Sequence, residues 1–398
     1  MQSHVEPLIS QILDEVRQHI IVEENSAYIL DPLYGIVRNR VNAEICKTLV
    51  RMGEHSMAEK IITSLIHHQN NDGSWNEIHP QYNQPSALIT AFAGDALLSA
   101  YDTCPVEKSL RMARDYVLSQ EITPGRFLKS SQYTADHLNV DASCGAFLAN
   151  YGARFSDECS LEAAERAALR VCGHQNGGVY PYAVDKGNYP QTLDVPCIHY
   201  QAVTMYYLLK INEFLKSETV KESLLKGAEW LSSVQKSDGQ FDWSRSGLMF
   251  AYYLGGAPAF AYSSFLGVAS WDPQYLNNAG LCLNKLEKNV KGLILRWEPD
   301  SMASLPPSIF TTLKTAQIGD YPLNHRVFSF GYGMYRQWAR RRFSDTIDDR
   351  LFHFLCRSLH IQASTVEPSR NYPDMFMTSE ILDCLSSVSY THLTLPTN

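Results

Sequence analysis

The chain has 398 residues, 45% of them hydrophobic, which is enough to bury a large core in one domain. Its formal net charge is −8 and its densest basic run is only Arg340-Arg341-Arg342, so nucleic acid is excluded as an expected partner. Nine scattered cysteines with no Cys-x-x-Cys pair exclude a disulfide framework and fit reduced thiols in a cytoplasmic protein.

In chain order, residues 5–22 read as an amphipathic helix whose acidic start lacks the pattern of a signal peptide. Residues 39–52 read as a first inner helix. The amphipathic run 54–69 then leads through Gln69-Asn70-Asn71-Asp72-Gly73-Ser74-Trp75 into 85–101, which is apolar almost all round. Gly73 can take the positive φ that ends a helix, and Trp75 can plug the space between neighbouring hairpins. The seam returns as Gln120 to Phe127, Gln175 to Tyr180 and Gln235 to Phe241. Outer helices are expected near 106–120, 160–174 and 217–235, and inner helices near 140–155 and 196–214. Helical hairpins repeating at roughly this period stack or close into a ring.

After Trp243 the pattern weakens. Inner-type segments are expected at 258–270, 326–341 and 377–386, and a Pro-rich connection at 290–325 is expected as a rim loop or lid. Gly247 to Trp271 carries no charge, a length that could span a bilayer, but Gly255-Gly256 and Pro258 break it into a buried hairpin, with peripheral membrane contact an open alternative. Residues 389–398 read as translated adapter sequence. The expected organisation is therefore one domain over 1–387 with a non-native tail at 388–398, the last hairpin being cut short.

The seam Gln-x-x-Asp-Gly-Ser-Trp, lying between an amphipathic helix and an Ala-rich apolar one, resembles the repeat of terpenoid cyclases and protein prenyltransferase β-subunits. The resemblance covers roughly residues 27–245 and implies an all-α fold, an α/α toroid with inner and outer rings of helices. It also implies an isoprenoid substrate in an aromatic cavity.

In such a ring the inner helices run the same way, so their starts gather on one rim with exposed N–H groups and partial positive charge. Candidate chemistry is therefore sought there. By the resemblance, Asp141 is what survives of an acid motif, with Val140 where the proton-donating carboxylate is expected. Asp136 and His137 are candidate substitutes, and a plain helix cap is the bland reading of Asp141. Before the next inner helix, Asp194, Cys197, His199 and Tyr200 form the densest reactive cluster. Cys197 and Tyr200 share a face, and His199 is expected to point elsewhere. Asp194, Cys197 and His325 resemble the zinc site of prenyltransferases, although no spacing rule supports it and no cofactor is otherwise expected. Tyr133, Tyr189, Tyr262, His325 and Arg326 are candidate substrate contacts. Tyrosine walls suit carbocations and sugar rings alike. Tyr200, His199, Arg326 and Asn188 also form a set able to abstract a proton beside a uronate carboxylate.

Three functions follow. The first is an isoprenoid enzyme of the terpenoid cyclase type. The second is a carbohydrate-active toroid, a uronate lyase or epimerase. The third is a non-catalytic scaffold. The expected partner is an isoprenoid or another small molecule.

Overall fold

The computed structural model describes residues 2–32, 35–79, 82–188, 193–242, 245–246, 253–291 and 375–394. The expected segments at 290–325 and 326–341 lie almost entirely outside these residues.

The described helices form two concentric walls. The inner wall is α2 (Asn39–Arg51), α4 (Ala87–Ser99), α6 (Leu138–Phe155), α8 (Ile198–Leu215), α10 (Tyr253–Ala269) and α12 (Met375–Thr394). Each packs on the next, and α12 packs back on α2, so the ring closes. The outer wall is α1 (Gln2–Arg17), α3 (His55–His67), α5 (Glu107–Ser119), α7 (Glu158–Gly173), α9 (Glu218–Ser233) and α11 (Leu276–Lys291). α1 covers α12 and touches α11. The fold is an α/α toroid, as its repeat period requires.

Residue chemistry sorts the walls. α4 is apolar on every side and almost wholly buried, whereas outer helices such as α5 and α7 bury one stripe, for example Leu110, Ala113 and Val117. Small residues let the walls approach: Ala163, Ala164, Ala167 and Ala168 of α7 are all buried, and α7 packs on α6. Of the apolar stretch expected as a broken hairpin, Tyr253–Ala269 is one inner helix, α10, with Pro258 inside it, and the residues before Tyr253 lie outside the described ones. Packing against α8, α11 and α12 overrides the local breaker. Among the described residues no helix is long and apolar enough to cross a membrane.

Short β-ribbons, which helical periodicity does not register, connect outer to inner helices. β1 (Ile20–Val22), β2 (Ala27–Asp31) and β3 (Ile36–Val37) form an antiparallel sheet. β4 (Trp75–His79) pairs with β5 (Tyr82–Ser86), and β6 (Glu121–Thr123) with β7 (Arg126–Phe127).

The seams explain the repeat. Gln69 Nε2 donates to the Ser109 carbonyl on the next outer helix, as Gln175 does to Ser223 and Gln235 to Asn278. Gly73 has φ +91°, and a Cβ there would lie 2.2 Å from the Met112 carbonyl oxygen, so only glycine fits against that outer helix. The same approach recurs at Gly125, Gly178 and Gly239. At the second seam Gln120 does not bridge to the next helix. Glu121 does so through Arg166, at 2.7 Å.

A second regularity was not expected. The fourth residue of an inner helix accepts a hydrogen bond from the backbone N–H of the preceding ribbon or seam. The pairs are Ile29 to Asn42 (2.8 Å), Trp75 to Thr90 (2.9 Å), Phe127 to Asp141 (2.7 Å) and Tyr180 to Gln201 (2.8 Å).

Candidate active site

The inner helices run parallel. On α2 and α12, Arg40 meets Glu380, Lys47 meets Asp383, and Thr48 meets Ser386, with both numbers rising together. Their starts therefore share one rim. Counted from each start, the second, sixth and ninth residues repeatedly face the lumen, because an inward stripe recurs every three to four residues. This stacks charged side chains in layers.

The upper layer joins α2, α8 and α12. Arg40 donates through Nη2 to Glu380 Oε1 at 2.6 Å and through Nε to Glu44 Oε1 at 2.9 Å. Its guanidinium also lies over the rings of Phe376 and Phe92, at 4.3 and 4.8 Å. Ser379 Oγ donates to Glu44 Oε2 at 2.6 Å. His199 Nε2 stands 3.7 Å from Glu380 Oε1, and its ring stacks on Tyr253 with centroids 4.2 Å apart. All these polar groups are buried or nearly so. Burial opposes the Arg40 charge, but Glu44 and Glu380 hold it well above its ordinary value. Burial, and after it the Arg40 charge, push the His199 imidazole well below its ordinary value, so it is neutral at pH 7. Gly256 of α10 packs directly on this pair: a Cβ there would lie 2.4 Å from Glu380 Oε2 and 2.7 Å from His199 Cε1.

The lower layer, about one turn deeper, is a closed ionic knot. Lys47 Nζ bonds Asp383 Oδ2 at 2.9 Å and Asp95 Oδ2 at 3.3 Å. Arg51 bonds Asp383 Oδ1 at 2.8 Å, and Asn150 donates to Asp95. Burial opposes it, but Lys47 and Arg51 drive the Asp383 carboxyl far below the usual carboxylate range. Beside this knot the Tyr206 and Tyr207 hydroxyls are buried with no hydrogen-bond partner among the described residues.

The expected site residues divide between these surroundings. Asp141 accepts the Phe127 N–H and pairs with Arg170 of α7. It holds the same position as Asn42, Thr90 and Gln201, so its geometry is that of a seam acceptor. Burial pushes its carboxyl up to about 8, against the pull of Arg170 and of the Phe127 N–H. Asp136 pairs with Arg170 at 2.6 Å and with Arg126 at 3.3 Å. His137 precedes α6, rests on Tyr182 at 4.6 Å, and is pushed down to about 3 by burial and by Lys129.

Asp194 is exposed on the loop before α8. Cys197 is buried, and burial lifts its thiol to about 11 against hydrogen bonds that include Ser246 and Tyr253. Among the described residues no three His, Cys, Asp or Glu side chains gather closely enough to hold a metal ion. Tyr200 is half-buried and stacks on Tyr182 at 4.5 Å. The expectation that His199 points away from Tyr200 is corrected: their rings are 5.0 Å apart and both meet Tyr253, because Tyr253 enters from the neighbouring helix α10. Tyr133 packs edge-on against Tyr82 at the rim. Tyr262 is buried nine residues into α10, well below the rim. Asn188 is exposed and bonds Thr134 and Gln132. Tyr189, His325 and Arg326 lie outside the described residues.

Sequence reasoning missed Arg40, Glu44 and Glu380. Arg40 and Glu44 look like an ordinary i, i+4 surface pair. Glu380 lies 340 residues from Arg40, and no local pattern links them.

No protein-family model matches the chain, and no curated protein does. Solved structures share its fold. One is an unsaturated glucuronyl hydrolase specific for heparin, 13% identical, with a TM-score of 0.54 over 72% of this chain and 83% of that one. Another is a D-mannose isomerase, 11% identical, with a TM-score of 0.56 over 72% and 87%. A third is the cellobiose 2-epimerase of Bacillus thermoamylovorans B4167, 11% identical, with a TM-score of 0.56 over 75% and 89%. At these identities the likeness concerns the fold.

The resemblance to terpenoid cyclases and prenyltransferases is thereby corrected, and with it the isoprenoid reading: the three similar toroids just named are a glucuronyl hydrolase, a mannose isomerase and a cellobiose epimerase. The physical reason lies in the seam itself. Its Gln, Gly and aromatic residue fasten one hairpin to the next, so they report how toroid walls join and nothing about what the lumen binds.

Proposed function

We propose that the protein is a carbohydrate-active enzyme that moves a proton at a sugar carbon next to a carbonyl, as an epimerase or isomerase does. The observation that carries this reading is a neutral, buried His199 beside Glu380, with Arg40 holding that carboxylate, at the starts of three inner helices. His199 Nε2 takes the proton from carbon, and the electron pair moves to the carbonyl oxygen. Glu380 stabilises the imidazolium that forms, and Arg40 offsets the negative charge developing in the lumen. Return of the proton to the other face of the carbon gives the epimer, and its return to the neighbouring carbon, with the adjacent hydroxyl proton passing to the first oxygen, gives the isomer.

Two of the similar folds belong to a mannose isomerase and a cellobiose epimerase, which supports the same class. Hydrolysis by a carboxylate pair is less well supported. Glu44 and Glu380 are bonded to one and the same guanidinium, so the two carboxyl groups do not stand in the separate surroundings that an acid and its partner need.

The test incubates the protein with aldoses and reducing disaccharides in D2O and follows deuterium entry at C2 by NMR. Exchange with at least one sugar is expected, along with loss of about a thousandfold in His199→Asn at unchanged circular dichroism. No exchange with any sugar, or undiminished exchange in the variant, would overturn the reading.

A further inference from the structure

We infer that the rim between α4 and α6 holds a second saccharide subsite, built around Gln84 and Asn139, so that the substrate is an oligosaccharide and not a single sugar. Gln84 lies on β5, directly across from Glu77 of β4. Side chains alternate along a strand, so Gln84 shares its face with Tyr82, Glu77 and His79. Its side chain is only 4% exposed, yet neither its amide nitrogen nor its amide oxygen has a hydrogen-bond partner among the described residues. Asn139, the second residue of α6, is 6% exposed, and its Oδ1 likewise has no partner there. Leaving such groups buried and unpaired is costly. A ligand rich in hydroxyls, each able to donate and accept, offsets that cost.

The surroundings have the shape of a sugar platform. Tyr82 stacks on His79 at 4.8 Å and meets Tyr133 edge-on at 5.2 Å. Lys129 binds Glu77 at 2.9 Å, lies 5.3 Å from the Tyr133 ring, and is near enough to His137 to depress its proton affinity. From His137 the rings run on through Tyr182 and Tyr200 to Tyr253 and His199, each 4.2 to 5.7 Å from the next. The rim thus carries two aromatic stretches, Tyr82 with Tyr133 and His137 through to the neutral histidine, with Lys129 near both. Faces of sugar rings stack on such rings, and amides between them read hydroxyls. The placing of the reacting end at His199 rests on the proposed proton transfer; the binding of a saccharide along these stretches does not.

The experiment therefore measures binding without turnover. The His199→Asn protein is titrated calorimetrically with gluco-, manno-, xylo- and uronate-bearing oligosaccharides and with their monosaccharides. At least one oligosaccharide series is expected to bind about tenfold or more tightly than its monosaccharide. Adding Gln84→Ala or Tyr133→Ala should erase that advantage and leave monosaccharide affinity unchanged. Tyr133 is only half-buried, so its variant keeps the test alive if the Gln84 variant unfolds. Equal affinity for both ligand lengths, a parallel loss for both, or no binding by any saccharide would overturn the inference. Binding that follows the expected pattern in a wild-type protein with no deuterium exchange would instead overturn the catalytic reading alone.

Discussion

Two layers of charge sit one above the other in the same lumen, and they differ in balance. In the lower layer Lys47 and Arg51 face Asp383 and Asp95, two charges of each sign, with Asp383 bonded by both cations. In the upper layer a single Arg40 serves Glu44 and Glu380, while His199 stands beside them uncharged. Burial makes every unmatched charge costly, so the balanced set is suited to holding α2, α4 and α12 together. The unbalanced set leaves one carboxylate in excess beside a neutral imidazole, an arrangement suited to steadying charge that develops during a proton transfer. Two helices, α2 and α12, supply residues to both layers. Position along the axis separates joining from chemistry.

The comparison can be broken most forcefully from below. Asp383→Ala leaves Lys47 and Arg51 buried without their shared carboxylate, and a loss of about 3–5 kcal/mol is expected by denaturant unfolding. If the lower layer were dispensable, the midpoint would hardly move. Next in size is Gly256→Ala, which drives a methyl group into Glu380 and His199. Turnover should fall about a hundredfold, equivalent to about 2.7 kcal/mol in the barrier, while most of the protein still folds. An unimpaired variant would show that the pair needs no fixed geometry.

The pH dependence comes third. His137 stays neutral in the folded chain down to about 3, whereas in the unfolded chain it takes a proton near its ordinary 6.5. His199 is shifted in the same direction. Between those values the unfolded state binds more protons at these histidines, so the stability they contribute is full above about pH 6.5 and falls as the pH is lowered. The slope reaches about 1.4 kcal/mol per pH unit for each such histidine. Asp141, whose carboxyl is pushed up to about 8, contributes in the opposite sense, so the histidine part is read as the difference in unfolding midpoint between wild type and His137→Asn, which should shrink from neutral to mildly acidic pH. The smallest effect is expected of Ser386→Ala, which removes hydrogen bonds with Thr48 and Arg51 at the edge of the lower layer. About 1 kcal/mol is expected, read as a shift in Tm of a few degrees at most.

The ring was legible because its information is local and repeated. Each seam carries a Gln, a Gly and an aromatic residue whose partners lie on the next hairpin, and the amphipathic and all-apolar segments between them give the two walls. What failed to show has physical causes. The ribbons β4–β5 and β6–β7 are short and carry residues such as Asn83, Gln84 and Pro85 that do not mark a strand. The helix α11 keeps a buried stripe of Ala279, Cys282, Leu283 and Leu286, but no seam opening on a Gln directly follows it in the sequence, so the repeat does not mark it. The site was half legible. His199 and Tyr200 stand out at a helix start rich in reactive groups. Arg40, Glu44 and Glu380 do not, because only closure of the ring brings α12 beside α2. Asp141 drew notice as a carboxylate, yet three other inner helices place Asn, Thr or Gln at the same point, so its position asks only for an acceptor.

That closure bears on how the protein is made. Open-ended solenoids can nucleate anywhere and grow one unit at a time. Here the segment at Asn39–Arg51 must wait for Met375–Thr394, and Gln2–Arg17 has no inner-wall helix to cover until that late segment arrives. During synthesis the emerging polypeptide therefore stays an incomplete arc, with Arg40, Lys47 and Arg51 in water. Acquisition of the native state should be all-or-none, slow for so helical a protein, and sensitive to a chaperone that shields the waiting edge.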